Sequence, residues 1–227
     1  MGQRTKMAEF NYPEAKNWNH YWSLDQTKKF SKVSWSKRRM MDVIRPYCVK
    51  NKMALDAGCG SGFFSKYFCD QGMVTTSLDY SASALTIAQQ QTSGRARLIQ
   101  ADLVEDDILN QIKGRFDLIF SDGLLEHFSS GQQDKIMKNV RFLLKKEGIL
   151  ITFVPNRWSP WELIRPFFMP GIEEAPFTLN QLIELNQRND FSILCKGGVN
   201  TVPFFISPDN ILGQCFGMLL YTIAKQT

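Results

Sequence analysis

Five short runs rich in apolar or β-branched residues punctuate the middle of the chain, at residues 53–55, 74–78, 96–99, 116–120 and 148–154. The last is continuous and apolar, as in parallel strands buried on both faces. Between and after the runs, apolar residues recur at helical spacing over residues 63–71, 82–91, 135–144 and 179–187, and the stretch at 135–144 is clearly amphipathic. Such alternation predicts one doubly wound α/β domain with a mainly parallel sheet. Two further strands, 191–195 and 202–206, would complete the sheet, with Gly197 and Gly198 turning the chain between them. Ahead of the first strand, residues 37–47 read as a helix with Met40, Met41, Val43 and Ile44 on its apolar side and Pro46 at its end.

The run at 53–55 opens the stretch MALDAGCGSG, residues 53–62. Here a short strand ends in Asp56, and Gly58, Gly60 and Gly62 let the backbone turn and approach a bound molecule where a Cβ would collide. Open α/β sheets place ligands beyond the carboxyl ends of their strands, so a small-molecule site is expected here. The dinucleotide fingerprint is excluded, because Phe63 and Ser65 stand where its third glycine would fall after Gly60 or Gly62. No Gly-Lys-Ser or Gly-Lys-Thr follows, which excludes the phosphate-cradling loop.

An acid followed by GxGxG after a strand resembles motif I of the class I S-adenosylmethionine-dependent methyltransferases. A second match lies at residues 116–128, where FDLIF runs into Ser121, Asp122, Gly123 and then LLEHF. The resemblance covers residues 42–206, with its matched motifs between 53 and 128. It implies a Rossmann-like seven-stranded sheet with the last strand antiparallel. It also implies that the glycine backbone lies against the methionine part of the cofactor. Asp79, about 20 residues beyond the glycine loop at the end of the second strand, stands where doubly wound nucleotide folds bind ribose hydroxyls. Capping of the following helix is its competing role. The resemblance assigns Asp102 and the amide of Leu103 to the adenine, where a carboxylate accepts from an amine and an amide donates to a ring nitrogen. The implied cofactor set is Asp56, Gly58, Cys59, Gly60, Asp79, Tyr80, Asp102, Leu103 and Ser121. His127 is a candidate proton acceptor, although a structural hydrogen-bonding role is the commoner one in this motif.

Composition adds limits. With 227 residues, 44% hydrophobic and 22% charged, the chain suits one soluble domain rather than a disordered segment. Cys48, Cys59, Cys69, Cys195 and Cys215 form no CxxC pair, and His20 and His127 lie far apart, so neither a zinc site nor a disulfide framework is expected. No signal-like segment opens the chain, Lys6 breaks the myristoylation pattern, and the late uncharged stretch 210–224 is too short to span a bilayer. A reduced cytoplasmic protein is the resulting expectation.

The net charge of +5 is carried by the first 50 residues, with 11 Lys and Arg against 4 Asp and Glu, leaving 16 against 18 elsewhere. The basic residues are dispersed, which suits a solvated face more than a nucleic-acid contact. Trp18, Tyr21, Trp22 and Trp35 make residues 1–50 an arm packed on a main domain of residues 51–227. A Pro-rich aromatic insertion at 156–177, with Trp158, Trp161, Phe167 and Phe168, is placed to roof the site together with that arm.

The expected activity is methyl transfer from S-adenosylmethionine, yielding S-adenosylhomocysteine, to a small-molecule acceptor without a metal. Catalytic residues are not assigned by the sequence. Aminopropyl transfer is a related enzymatic reading, and a non-catalytic scaffold subunit or a nucleic-acid methyltransferase are the others. The turn after the fourth strand is SDGL, which lacks the Asn-Pro-Pro-Tyr type of sequence of base-directed enzymes.

Overall fold

The computed structural model describes residues 15–105, 107–112, 114–168, 174–202 and 206–227. The five expected central strands form, as β1 (Met53–Ala57), β2 (Val74–Asp79), β3 (Arg97–Gln100), β4 (Phe116–Asp122) and β5 (Leu144–Pro155), followed by β6 (Phe191–Val199) and β7 (Leu219–Gln226). Helices α1 (Ala15–Ser23) and α2 (Trp35–Ile44) precede the sheet. Next come α3 (Phe63–Asp70), α4 (Ala82–Thr92), α5 (Ile108–Gln111), α6 (Ser130–Leu143), α7 (Trp161–Phe168), α8 (Leu179–Arg188) and α9 (Asp209–Phe216). The strand order is β3-β2-β1-β4-β5-β7-β6, parallel except for β7, which pairs antiparallel with both β5 and β6.

Neighbouring positions of the central strands feed two cores. Leu55, Ile119 and Leu150 join Ile136, Met137 and Val140 of α6 and Leu182 and Leu185 of α8 on one face. Ala54, Leu118, Phe120, Ile151 and Phe153 join Met40 and Ile44 of α2 and Phe63, Phe64 and Phe68 of α3 on the other. Burial on both faces explains why these strands lack polar alternation. β1 pairs with β2 on one side and β4 on the other, so the crevice where the strand order reverses opens at the carboxyl ends of β1 and β4.

Two expectations fail at the carboxyl-terminal part of the sheet. The seventh strand is β7, not residues 202–206; Val202 and Ile206 lie in bends, and residues 203–205 fall outside the described part. Gly197 and Gly198 do not turn the chain but sit inside β6. Their small size serves contact instead, since a Cβ on Gly198 would lie 1.8 Å from the carbonyl oxygen of Gly213 in α9. The helix expected at 135–144 begins earlier, at Ser130, where Ser129 and Gln132 form a capping box. Among the described residues no helix is long and apolar enough to cross a membrane. All five cysteines are free thiols.

Candidate functional site

A cavity of about 260 Å³ occupies the crevice. Its first wall is made by strand ends. β1 delivers Asp56, buried and accepting a 2.6 Å hydrogen bond from Ser65 Oγ, which in turn receives one from Ser77 Oγ at 2.7 Å. Burial pushes the Asp56 carboxyl up to about 7 despite the Ser65 bond. The loop then turns through Gly60 and Gly62, both at positive φ (49° and 71°). A Cβ on Gly62 would lie 2.5 Å from Ala88 Cα, so this glycine lets α3 start against α4. A Cβ on Gly60 would instead meet the Trp22 indole at 2.5 Å, on the cavity side.

At the end of β2, Asp79 Oδ2 accepts from the Gly60 amide and Oδ1 from the Ser81 amide, each at 2.9 Å. The carboxylate thus ties the glycine loop to the start of α4. Each of its oxygens has a second lone pair for a ligand hydroxyl. Burial raises its pKa, opposed by those amide bonds. Beyond β3, Asp102 Oδ1 accepts from the Val104 amide at 2.9 Å and fixes the turn that carries Leu103. Asp56, Gly58, Cys59, Gly60, Asp79, Tyr80, Asp102 and Leu103 all line this one cavity. Ser121 is buried within β4 and is not among the lining residues; the next residue, Asp122, is.

The opposite wall is assembled from distant segments. Trp18, Tyr21 and Trp22 come from α1, Phe30 from the short helical turn after it, and Lys37 from α2. α1 is anchored by Asn19, whose Oδ1 accepts from Ser81 Oγ at 2.8 Å and from the Ser83 amide at 3.3 Å. Lys37 Nζ donates to the carbonyls of Phe30 and Lys32 and sits 4.0 Å from the centroid of the Phe63 ring. Burial lowers the Lys37 pKa to about 8, with Asp122 opposing the shift. The turn after β4 supplies Gly123, Leu124, Glu126, His127 and Phe128. The His127 ring meets Trp18 edge to face at 4.8 Å between centroids.

The insertion contributes an acid to this wall where rings are expected. Glu174 lines the cavity, whereas Trp158 points outward with 66% of its surface exposed and Trp161 is not a lining residue. The side chains of Phe167 and Phe168 lie outside the described residues. The insertion is closed at its base by a bridge between Asn156 and Phe177. Asn156 is fully buried, and its side-chain amide donates to the carbonyls of Cys215 and Gly217. Trp35 also departs from expectation: it is 47% exposed at the start of α2, with the Arg38 guanidinium over its ring, away from the cavity. Lys37, Glu126 and Glu174 are charged lining residues that sequence reasoning misses. Glu126 is adjacent to the noticed His127, but Lys37 and Glu174 carry no local signal.

Residues 54–148 match the family described as a methyltransferase domain. A ubiquinone biosynthesis O-methyltransferase of Glaesserella parasuis is 31% identical over 169 residues, which cover 72% of this chain and 63% of that protein. The enzyme of the same name from Coxiella burnetii is 30% identical over 119 residues, 52% of this chain and 50% of its own length. The chain thus spans about half the length of several relatives that it matches. Among solved structures, magnesium protoporphyrin IX methyltransferase from Synechocystis with bound S-adenosylhomocysteine aligns with a TM-score of 0.69 at 15% identity, covering 94% of this chain and 99% of that one. N-methyltransferase NodS from Bradyrhizobium japonicum aligns at 0.68 and 14% identity, covering 93% and 97%. At these identities the structural matches speak for a common fold.

Proposed function

We propose that the chain is a class I S-adenosylmethionine-dependent methyltransferase and transfers a methyl group from S-adenosylmethionine to a small-molecule acceptor. The observation that carries this reading is the convergence of Asp56, Gly60, Asp79 and Asp102, from three strand ends, on one cavity at the reversal of strand order. Their chemistry fits the cofactor. Glycine backbone admits the methionine part, Asp79 has lone pairs for ribose hydroxyls, and Asp102 with the Leu103 amide suits an adenine edge. Cys59 and Tyr80 complete this side. The names of the relatives, ubiquinone biosynthesis O-methyltransferase and malonyl-(acyl-carrier protein) O-methyltransferase, support an acceptor other than a nucleic acid.

The bound cofactor supplies a sulfonium methyl that is already activated toward nucleophiles. The protein's own task is then to orient the acceptor and exclude water, and proximity alone is worth ~7–11 kcal/mol in well-oriented reactions. Trp18, Tyr21, Trp22 and Phe128 exclude water from the cavity, and Asn19 holds α1 across its mouth. We assign the described parts of the arm and the insertion, residues 15–50, 156–168 and 174–177, to a cover that opens for ligand entry, because the Trp22 indole lies against the glycine loop and Glu174 lines the cavity; residues 1–14 of the arm and 169–173 of the insertion lie outside the described residues.

Calorimetry with S-adenosylhomocysteine, S-adenosylmethionine and NAD tests the reading. Binding of the first two and not of NAD is expected. A folded protein that binds NAD and neither adenosyl ligand sinks it.

A further inference from the structure

The wall opposite the glycine loop concentrates carboxylates against few cations. Asp122, Glu126 and Glu174 line it, and Glu162 stands behind. Among the described residues, the Lys and Arg side chains facing this group are Lys37 and Arg165. Arg165 is taken by Glu162 at 3.2 Å and Glu174 at 3.4 Å, while Lys37 donates to backbone carbonyls. Glu126 is only 2% exposed, and its Oε2 has no hydrogen-bond partner among the described residues. Glu126 lines the cavity, and a buried carboxylate oxygen left without a donor is costly. Trp18, Tyr21 and Phe128 line the same part of the cavity. Ring faces attract cations, and ionised carboxylates offer acceptors to a cation's N–H groups.

We propose that the methyl acceptor is an amine, received as its ammonium by Glu126 and Glu174 with Asp122 nearby, and with Trp18, Tyr21 and Phe128 around its carbon skeleton. This rests on the methyltransferase reading and names the acceptor class within it. An ammonium has three donors to share among these acceptors, where a hydroxyl has one. Burial raises the Glu126 carboxyl well above its ordinary value, Glu174 to about 7 and Asp122 to about 6, so these groups hold a proton more readily than exposed carboxylates do. The ammonium gives one proton to the Glu126 carboxylate and leaves a neutral amine with its lone pair free. The new N–C bond then forms as the methyl C–S bond breaks, its electron pair staying on sulfur, so the positive charge passes to a nitrogen that the carboxylates surround.

Glu126, His127 and Glu174 each place a ligating atom within 4.8 Å of the others, which is also a spacing for a metal ion. A metal ion is therefore the competing occupant, and manganese binding decides between the two.

The test uses full-length protein saturated with S-adenosylhomocysteine and titrated with a panel of alkyl and arylalkyl amines, each beside the alcohol of the same skeleton, and with manganese chloride. At least one amine should bind about tenfold or more tightly than its alcohol, as a charge-assisted hydrogen bond implies. Glu126→Gln and Glu174→Gln, checked for folding by circular dichroism, should each remove that preference; if one does not fold, the other carries the test. No preference for any amine, or a preference intact in the folded variants, overturns the proposal. Stoichiometric manganese binding lost in the variants, with no amine preferred, assigns the cluster to a metal and overturns it too. Failure to bind S-adenosylhomocysteine is a separate result that removes the parent reading and this one with it.

Discussion

The glycine-loop wall of the cavity takes its groups from three strand ends within residues 56–103, and amide bonds to Asp79 and Asp102 fix its shape. The opposite wall draws Tyr21, Lys37, Glu126 and Glu174 from an arm, a turn and an insertion, and its character lies in side chains. A wall made of backbone tolerates little change, because a glycine that must lie close to a ligand has no substitute. A wall made of side chains on connecting segments can change its chemistry while the sheet stays the same. In one fold, then, the wall proposed to bind the cofactor and the wall proposed to select an acceptor are separable.

The sharpest way to break this comparison is Gly60→Val. Position 60 has positive φ and its Cβ would enter the Trp22 ring, yet it does not pack on the sheet. S-adenosylhomocysteine binding should be abolished while circular dichroism stays that of the folded protein. Normal affinity would mean that this loop does not touch the ligand. Asp79→Ala is the next largest test. It should weaken binding by about 1.5–3 kcal/mol, the range for a hydrogen bond to a charged group. Unchanged affinity with a lowered melting temperature would leave Asp79 as a brace for the loop alone.

Much of the first wall is legible in the sequence because a strand end, a glycine loop and an acid at fixed distance are local patterns. The five central strands are legible for a related reason, as burial on both faces leaves runs without polar alternation. β7 escapes because the uncharged stretch 210–224 merges a helix and a strand into one apolar segment. Gly197 and Gly198 mislead because a glycine pressed against another backbone looks, in sequence, like a glycine in a turn. Glu174 is illegible because only the closure of the insertion brings it beside Glu126, 48 positions earlier in the numbering.

The mobility of the second wall is a subtler measurement. Hydrogen exchange in residues 15–47 should slow when S-adenosylhomocysteine binds, while amides of β1 and β4 stay protected throughout. Equal protection of the arm with and without ligand would make it part of the permanent core. The last test follows a buried acid through pH. The folded-state pKa of Asp56 is raised to about 7, from an ordinary 3.8. Its contribution to stability is therefore full below the unfolded value and is lost as pH rises through about 7. Asp56→Asn does not titrate, so its melting temperature relative to the parent protein should rise between pH 4 and pH 8, by about 2–4 °C for each kcal/mol. A relative fall over that range would show that the folded protein prefers Asp56 as a carboxylate.

The bridge between Asn156 and Phe177 gives the insertion a closed base, with Asn156 held in turn by the carbonyls of Cys215 and Gly217. A loop pinned at its neck behaves as a cassette. Each doubling of its length adds only about 0.6 kcal/mol of closure entropy. Segments of other lengths and compositions can therefore be grafted between these two anchors, so on the proposed reading the neck, more than the loop it holds, is the place where one acceptor is exchanged for another.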